Sequence, residues 1–418
     1  MTMLKKVIVG KTPSEKDLFL WNMIGSTIYA MASMILTYLT IRIISGKEGG
    51  IFAIGLTLGQ MFIYIAYYEM RNFQVTDENN KYHFSEYHTV KIFNCILMMI
   101  VSAGYIWLKQ YDPYKATVIF MVCLYRMLDG YADVYEAEFH HKGRLDLAGK
   151  SMAFRTVISV GIYFIILGMT HELIYALTGA IISGIMGIYI FNIYIFDSVG
   201  TLKCTWNKES FTGILRDCFP LFLGMFLWTY LLSASRIAVD NVMPSEYQSY
   251  YQVLFMPVSV INLFAGFLIR PSLMELTDLK ARNEKKKFWS IIRKMTIALM
   301  VFTVICMIGA YICGIPVLSL LVNCNLKEYR MMFVFLIFAG GFNAIAYLLY
   351  FVLTIFRSQL GIITGYGIAS IVALLISTRM VERWQLWGAS FSYLISIVIL
   401  VMVFIICIIY EEKRVGKV

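Results

Sequence analysis

The sequence predicts an all-α polytopic membrane protein, with about twelve transmembrane helices in two pseudo-symmetric six-helix bundles. Three observations carry this prediction. Apolar residues make up 59% of the 418 positions and charged residues only 15%, whereas soluble domains are about a quarter charged. Mean hydropathy is +0.71. The apolar residues also fall in long unbroken runs, such as 96–106 and 395–410, and not in the alternating segments of a membrane barrel. Backbone facing lipid must satisfy its own hydrogen bonds, so runs of this kind are read as helices.

In chain order the runs are 18–44, 51–69, 90–108, 116–138, 148–169, 173–196, 215–239, 250–275, 289–321, 331–356, 361–378 and 386–410. Each can cross a hydrocarbon core of ~30 Å, which takes roughly 20 helical residues. The first is too long for a signal-peptide core and eleven more follow it, so it is expected to be retained although Lys5, Lys6, Lys11 and Lys16 precede it. The eighth holds Pro257 in mid-span, which frees a backbone carbonyl and permits a kink. The ninth is over-long and carries Gly314 and Pro316, which predicts a span followed by a short second piece. The eight cysteines show no CxxC pairing and read as small apolar packing residues. The five histidines have no metal-ligand spacing. Neither a metal nor a cofactor is expected.

Lysine and arginine counts orient the spans. With the N-terminus inside, the inner segments hold 25 of these residues and the outer ones 8, leaving Arg126, Arg236 and Arg270 in spans. That asymmetry predicts cytoplasmic termini. It also accounts for most of the net charge of +10 without nucleic-acid binding. The run Lys285–Lys287 is placed to touch anionic lipid heads.

The loop 197–217 joins the sixth span to the seventh. It suggests an N-terminal bundle over 1–197, a cytoplasmic linker over 198–215 and a C-terminal bundle over 216–418. An echo between the halves supports this: Arg42, Glu48 and Arg71 in the first are matched by Arg236, Glu246 and Arg270 in the second. Parallel repeats of this type are a transporter architecture, with substrate handled between the halves.

Charges inside the spans point to chemistry. In the fourth span, Arg126, Asp129, Asp133 and Glu136 share one helical face. An unpaired charge at the centre of a membrane costs at least ~2.5–3.5 kcal/mol, so this stripe should face a partner or a wet cavity. Two readings stay open. In one, Arg126–Asp129 is a structural pair, with Asp133 and Glu136 already in cytoplasmic water. In the other, the stripe lines a polar pathway open to the inside. Arg270 precedes Pro271 at the inner end of the eighth span, and Arg71 mirrors it beside Glu69. Arg236 and Asp240, four residues apart, are placed to pair on one face. Arg42 reads as an interfacial anchor. Arginines recurring in both halves suit a phosphate-bearing cargo, because guanidinium binds phosphate through a fork of donors.

Three stretches carry a family likeness: NMIGSTIYAMASMILTYLTIRIISGKEGGIFAIG (22–55), YRMLDGYADVYEAEFHHKGRLDLAGKSMAFR (125–155) and SRIAVDNVMPSEYQSYYQVLF (235–255). They resemble the oligosaccharide flippases of the polysaccharide transporter family, the Wzx-type branch of the multidrug/oligosaccharidyl-lipid/polysaccharide exporter superfamily. The resemblance covers most of the chain at the level of layout. It implies translocation of a lipid-linked oligosaccharide, carried on a polyprenyl diphosphate, across the cytoplasmic membrane of a bacterium by alternating access. On that reading Arg126 and Arg270 attract the diphosphate, while Asp129 and Asp133 bond sugars or take part in ion coupling, with Asp240 a second coupling candidate. Arg71 and Arg236 complete the candidate set. The implied partners are the lipid-linked oligosaccharide and membrane lipids, with other polysaccharide-assembly proteins as further candidates, and a monomer is expected.

Two alternatives remain open. Multidrug exporters of the same superfamily often carry an acid inside the first helix, and here none follows Asp17 in that span; Asp129 and Asp240 keep a cation-coupled exporter in play. A membrane polysaccharide polymerase normally needs a sizeable outer loop with catalytic groups. The outer segments 45–50, 109–115, 170–172, 240–249, 323–330 and 379–385 are short, and no Gly-rich nucleotide loop appears. An enzyme is not expected.

Overall fold

Charge decides which helices announce themselves as membrane spans and which do not. The computed structural model describes residues 8–10, 13–44, 46–77, 81–198 and 206–415, and these contain helices but no strand. Lys5, Lys6, Lys11 and Cys204 lie outside the described residues, as does part of the loop 197–217. Ten of the described helices are long and apolar enough to cross a membrane. The last of them is really two, because Gln385 has φ 51° and ψ −134°, a conformation that no α-helix contains. A further helix, Pro113–His141, is 29 residues long but too charged to register by hydropathy. Counting both brings the described spans to twelve.

We label them α1 (Glu15–Ile44), α2 (Gly46–Tyr67), α3 (Phe84–Lys109), α4 (Pro113–His141), α5 (Leu145–Thr170), α6 (Leu173–Phe196), α7 (Lys208–Val242), α8 (Ser245–Ile269), α9 (Lys285–Val322), α10 (Arg330–Ile355), α11 (359–384) and α12 (386–415). The chain forms two compact units, Met1–Phe226 and Leu227–Val418.

In the first unit α4 is the central helix. It packs against α2, α3, α5 and α6, while α1 runs along α5. The crossing of α1 and α5 depends on glycine: a Cβ on Gly149 would strike the backbone of Trp21, and one on Gly25 would strike that of Gly149. Close backbone approach through small residues is how membrane helices gain dispersion contacts where lipid supplies no hydrophobic drive. The interior is filled by Phe52, Val118, Val122, Tyr163 and Leu177 toward one end, and by Tyr87, Tyr135, Phe139 and Phe196 toward the other.

In the second unit the fourth helix again takes the central place, with α10 packing against α8, α9 and the α11–α12 pair. The halves differ in chemistry. After Arg330, α10 has no charged residue and buries Gly340, Gly341 and Asn343, whereas α4 buries Arg126, Asp133 and Glu136.

Both halves break their second helix. α2 stops at Tyr67, and Tyr68 and Glu69 take φ 48° and 51° before a short helix, Met70–Thr76, begins. α8 parts at Met256–Pro257, between Ser245–Phe255 and Val258–Ile269, as the mid-span proline predicts. The ninth span differs from expectation. It does not separate at Gly314; a π-helical turn, Ala310–Gly314, leads straight into Ile315–Val322. A π-turn takes up the local mismatch, and Pro316, which has no N–H to give to the preceding turn, follows directly after it.

Candidate functional site

The charged face of α4 is set by its ends. Asp112 accepts from the Lys115 backbone N–H at 3.1 Å, and Pro113 opens the helix. Gly143, at φ 72°, turns the chain away at the far end. Between these ends, Arg126, Asp129, Asp133 and Glu136 point into the first unit, where three neighbouring elements meet them.

Each neighbour contributes one cation. The break in α2 carries Arg71 inward, so that its Nη1 lies 3.1 Å from Asp133 Oδ1 and 3.6 Å from Glu136 Oε2. Lys91, two turns into α3, places Nζ 3.1 Å from Asp133 Oδ2. Arg155 of α5 places Nη2 3.2 Å from Glu136 Oε1 and 3.3 Å from Asp129 Oδ1. Arg126 Nη1 reaches Asp129 Oδ2 at 3.0 Å. The result is one alternating chain, Lys91–Asp133–Arg71–Glu136–Arg155–Asp129–Arg126, with a cation at each end.

Arg126 fits because Gly59 faces it: a Cβ there would stand 2.9 Å from Arg126 Cγ. Its guanidinium lies 5.3 Å from the ring centre of Tyr29, whose hydroxyl is 3.0 Å from that of Tyr67. The Nε atoms of Arg126 and Arg155 are buried without a hydrogen-bond partner among the described residues, an unmet demand at the heart of the cluster.

A cavity of about 260 Å³ opens beside this chain. Glu69, Arg71, Asp129, Asp133, Glu136 and Arg155 line it, together with Tyr29, Tyr64 and Tyr67. Arg126 is 7% exposed and meets the cavity through Asp129 rather than on the wall. Arg126–Asp129 is an ion pair, and Asp133 and Glu136 are buried at a polar cavity instead of standing in cytoplasmic water. The wall offers carboxylate acceptors and guanidinium donors side by side, a mixed surface that suits hydroxyl-rich as well as charged groups.

The second unit treats its candidates differently. Arg236, expected to pair with Asp240, sends Nη1 to Gln252 Oε1 at 3.2 Å and Nη2 to the Leu232 carbonyl at 3.3 Å. It also lies 4.9 Å from the Phe255 ring centre. Asp240 is buried on the same helix. Arg270 opens a short 3-10 turn, Arg270–Ser272, and its side chain lies outside the described residues. Arg42 is exposed in the last turn of α1.

No family model matches the sequence. The capsular polysaccharide biosynthesis protein CapF of Staphylococcus aureus is 22% identical over 389 residues, covering 90% of this chain and 95% of that protein. Among solved structures, an inward-facing multidrug resistance transporter of the MATE family, within the MOP superfamily, aligns over 99% of this chain and 98% of its own, with TM-score 0.65 at 9% identity. The lipid II flippase MurJ aligns over 94% and 90%, with TM-score 0.66 at 13% identity.

The fold is that of the MOP-superfamily transporters. The protein is a multi-pass membrane protein, and the solved structures it resembles are transporters and flippases. At these identities the likeness is one of fold alone.

Sequence reasoning found α4 but missed most of what surrounds it. The positive-inside count places Lys91 and Arg155 among the 25 inner cations, yet both are buried on helices. The signal was present, since Lys91 lies about two turns and Arg155 almost three turns inside its helix. Without them the inner segments still far outnumber the outer ones in positive charge. Tyr29 and Tyr67 gave no signal at all, because tyrosines are common throughout the chain.

Proposed function

We propose that the protein is a flippase that moves a polyprenyl-diphosphate-linked oligosaccharide across the cytoplasmic membrane of a bacterium by alternating access, for surface polysaccharide biosynthesis. The MOP fold supports transport, and the name of the Staphylococcus aureus relative supports a polysaccharide cargo. The observation that carries the reading is the buried ion chain beside a cavity in the first unit. A membrane protein retains so many desolvated charges where they handle a polar cargo.

In this reading Arg126 and Arg71 of the first unit supply positive charge for the diphosphate, and Arg270 and Arg236 of the second unit are further candidates, each considered in its own unit. Asp129 and Asp133 accept hydrogen bonds from sugar hydroxyls. The chain works as a monomer of two six-helix halves with both termini in the cytoplasm, and it carries out no covalent chemistry. The test is complementation of a flippase-deficient strain with Arg126→Ala and Arg270→Ala. Loss of surface glycan in either supports the site; full activity in both removes these arginines from it.

A second reading has one observation in its favour. Four carboxylates, Glu69, Asp129, Asp133 and Glu136, reach the cavity wall, which suits a cation-coupled multidrug exporter with Asp129 and Asp240 as coupling acids. Expression that alters drug susceptibility and leaves surface glycan unchanged selects this reading over the first.

A further inference from the structure

The break in α2 has a cation built into it. A continuous helix would bond the Tyr67 carbonyl to the N–H four residues on. With Tyr68 and Glu69 both at positive φ, that carbonyl is released at the C-terminal end of α2, where the helix dipole concentrates partial negative charge. Lys91 Nζ donates to it at 3.3 Å and to Asp133 Oδ2 at 3.1 Å. The Lys91 side chain is 1% exposed.

Released carbonyls at half-helix C-terminal ends are the groups with which broken-helix transporters hold a coupling Na⁺, and here the Asp133 carboxylate stands beside one. Here the ammonium occupies that position. Tyr67 and Asp133, the two residues that hold the ammonium, also line the cavity, which brings solvent to their edge.

We propose that Lys91 is a tethered replacement for a dissolved monovalent cation, and that removing it turns the α2 break into a sodium site. A cation fixed to α3 does not cross the membrane, so no sodium gradient is spent at this position. That consequence rests on the transport reading; the binding measurement below does not.

The experiment compares the melting temperature of purified wild-type protein and Lys91→Ala in sodium chloride and in choline chloride at equal ionic strength. The expected result is no sodium effect on wild type and a rise of several degrees in the variant. An equal sodium shift in both proteins, or none in a folded variant, overturns the proposal. Should Lys91→Ala not fold in choline, its recovery in sodium chloride supports the proposal, and recovery in ethylammonium chloride alone, or in neither salt, overturns it. Transport failing in wild type while these shifts are seen would sink the flippase reading and leave the ion site standing.

Discussion

Arg71 Nη1 lies 3.1 Å from Asp133 Oδ1, joining residues 62 positions apart. The contact fastens the break in α2 to the central helix of the first unit. Lys91 holds the other oxygen of the same carboxylate, so Asp133 is the point at which three elements meet.

Asp133→Ala leaves two cations facing each other without their shared anion. Breaking a buried pair by removing one partner costs on the order of 3–5 kcal/mol. Thermal melting in detergent should show a large drop, and Asp133→Asn a smaller one, because the amide still accepts one hydrogen bond. Equal melting of Asp133→Ala and wild type would mean that the ion chain does not hold the unit together.

Arg155 bridges Glu136, Asp129 and the Leu128 carbonyl with one planar group. A lysine ammonium cannot span all three. With a charged hydrogen bond worth ~1.5–3 kcal/mol, Arg155→Lys is expected to lower transport by about tenfold or more while keeping the net charge. Unchanged initial rates would show that charge alone matters there.

Much of the fold was legible because lipid imposes one rule on every span, and long apolar runs obey it. The charged face of α4 was legible for the converse reason: four ionisable residues on one side of a membrane helix have few places to go. The break at Tyr68–Glu69 was hidden, since non-glycine residues hold the left-handed conformation there and no proline marks it. Lys91 and Arg155 were misplaced because a cation near a span end reads equally well as interfacial; only tertiary packing turns it inward. The split at Gln385 was readable, as the charged segment 379–385 interrupts the apolar run.

Gly149 and Gly161 both lie on α5 but in different surroundings. A Cβ at Gly149 meets the Trp21 backbone, and one at Gly161 meets nothing within 4 Å. Gly149→Ala should destabilise by about 1–3 kcal/mol through overpacking. Gly161→Ala should be neutral or stabilising, since alanine is the better helix former. Reversal of that order in melting experiments would contradict the packing of α1 on α5.

Lys81 and Asp217 stand 2.7 Å apart, with the lysine side chain 59% exposed. The hydrogen bond from Lys81 to Asp217 raises the lysine's pKa. Water screens so exposed a pair, so Lys81→Ala is expected to leave the melting curve and transport within scatter of wild type. A marked loss would assign this contact a role that its exposure does not suggest.

Flipping measured in proteoliposomes tests the central claim most directly. Purified protein is reconstituted with a fluorescent polyprenyl-diphosphate oligosaccharide, and transfer between leaflets is followed by lectin capture. Rapid transfer is expected with wild-type protein and strongly slowed transfer with folded Arg126→Ala. No acceleration by wild type over protein-free vesicles would contradict that claim.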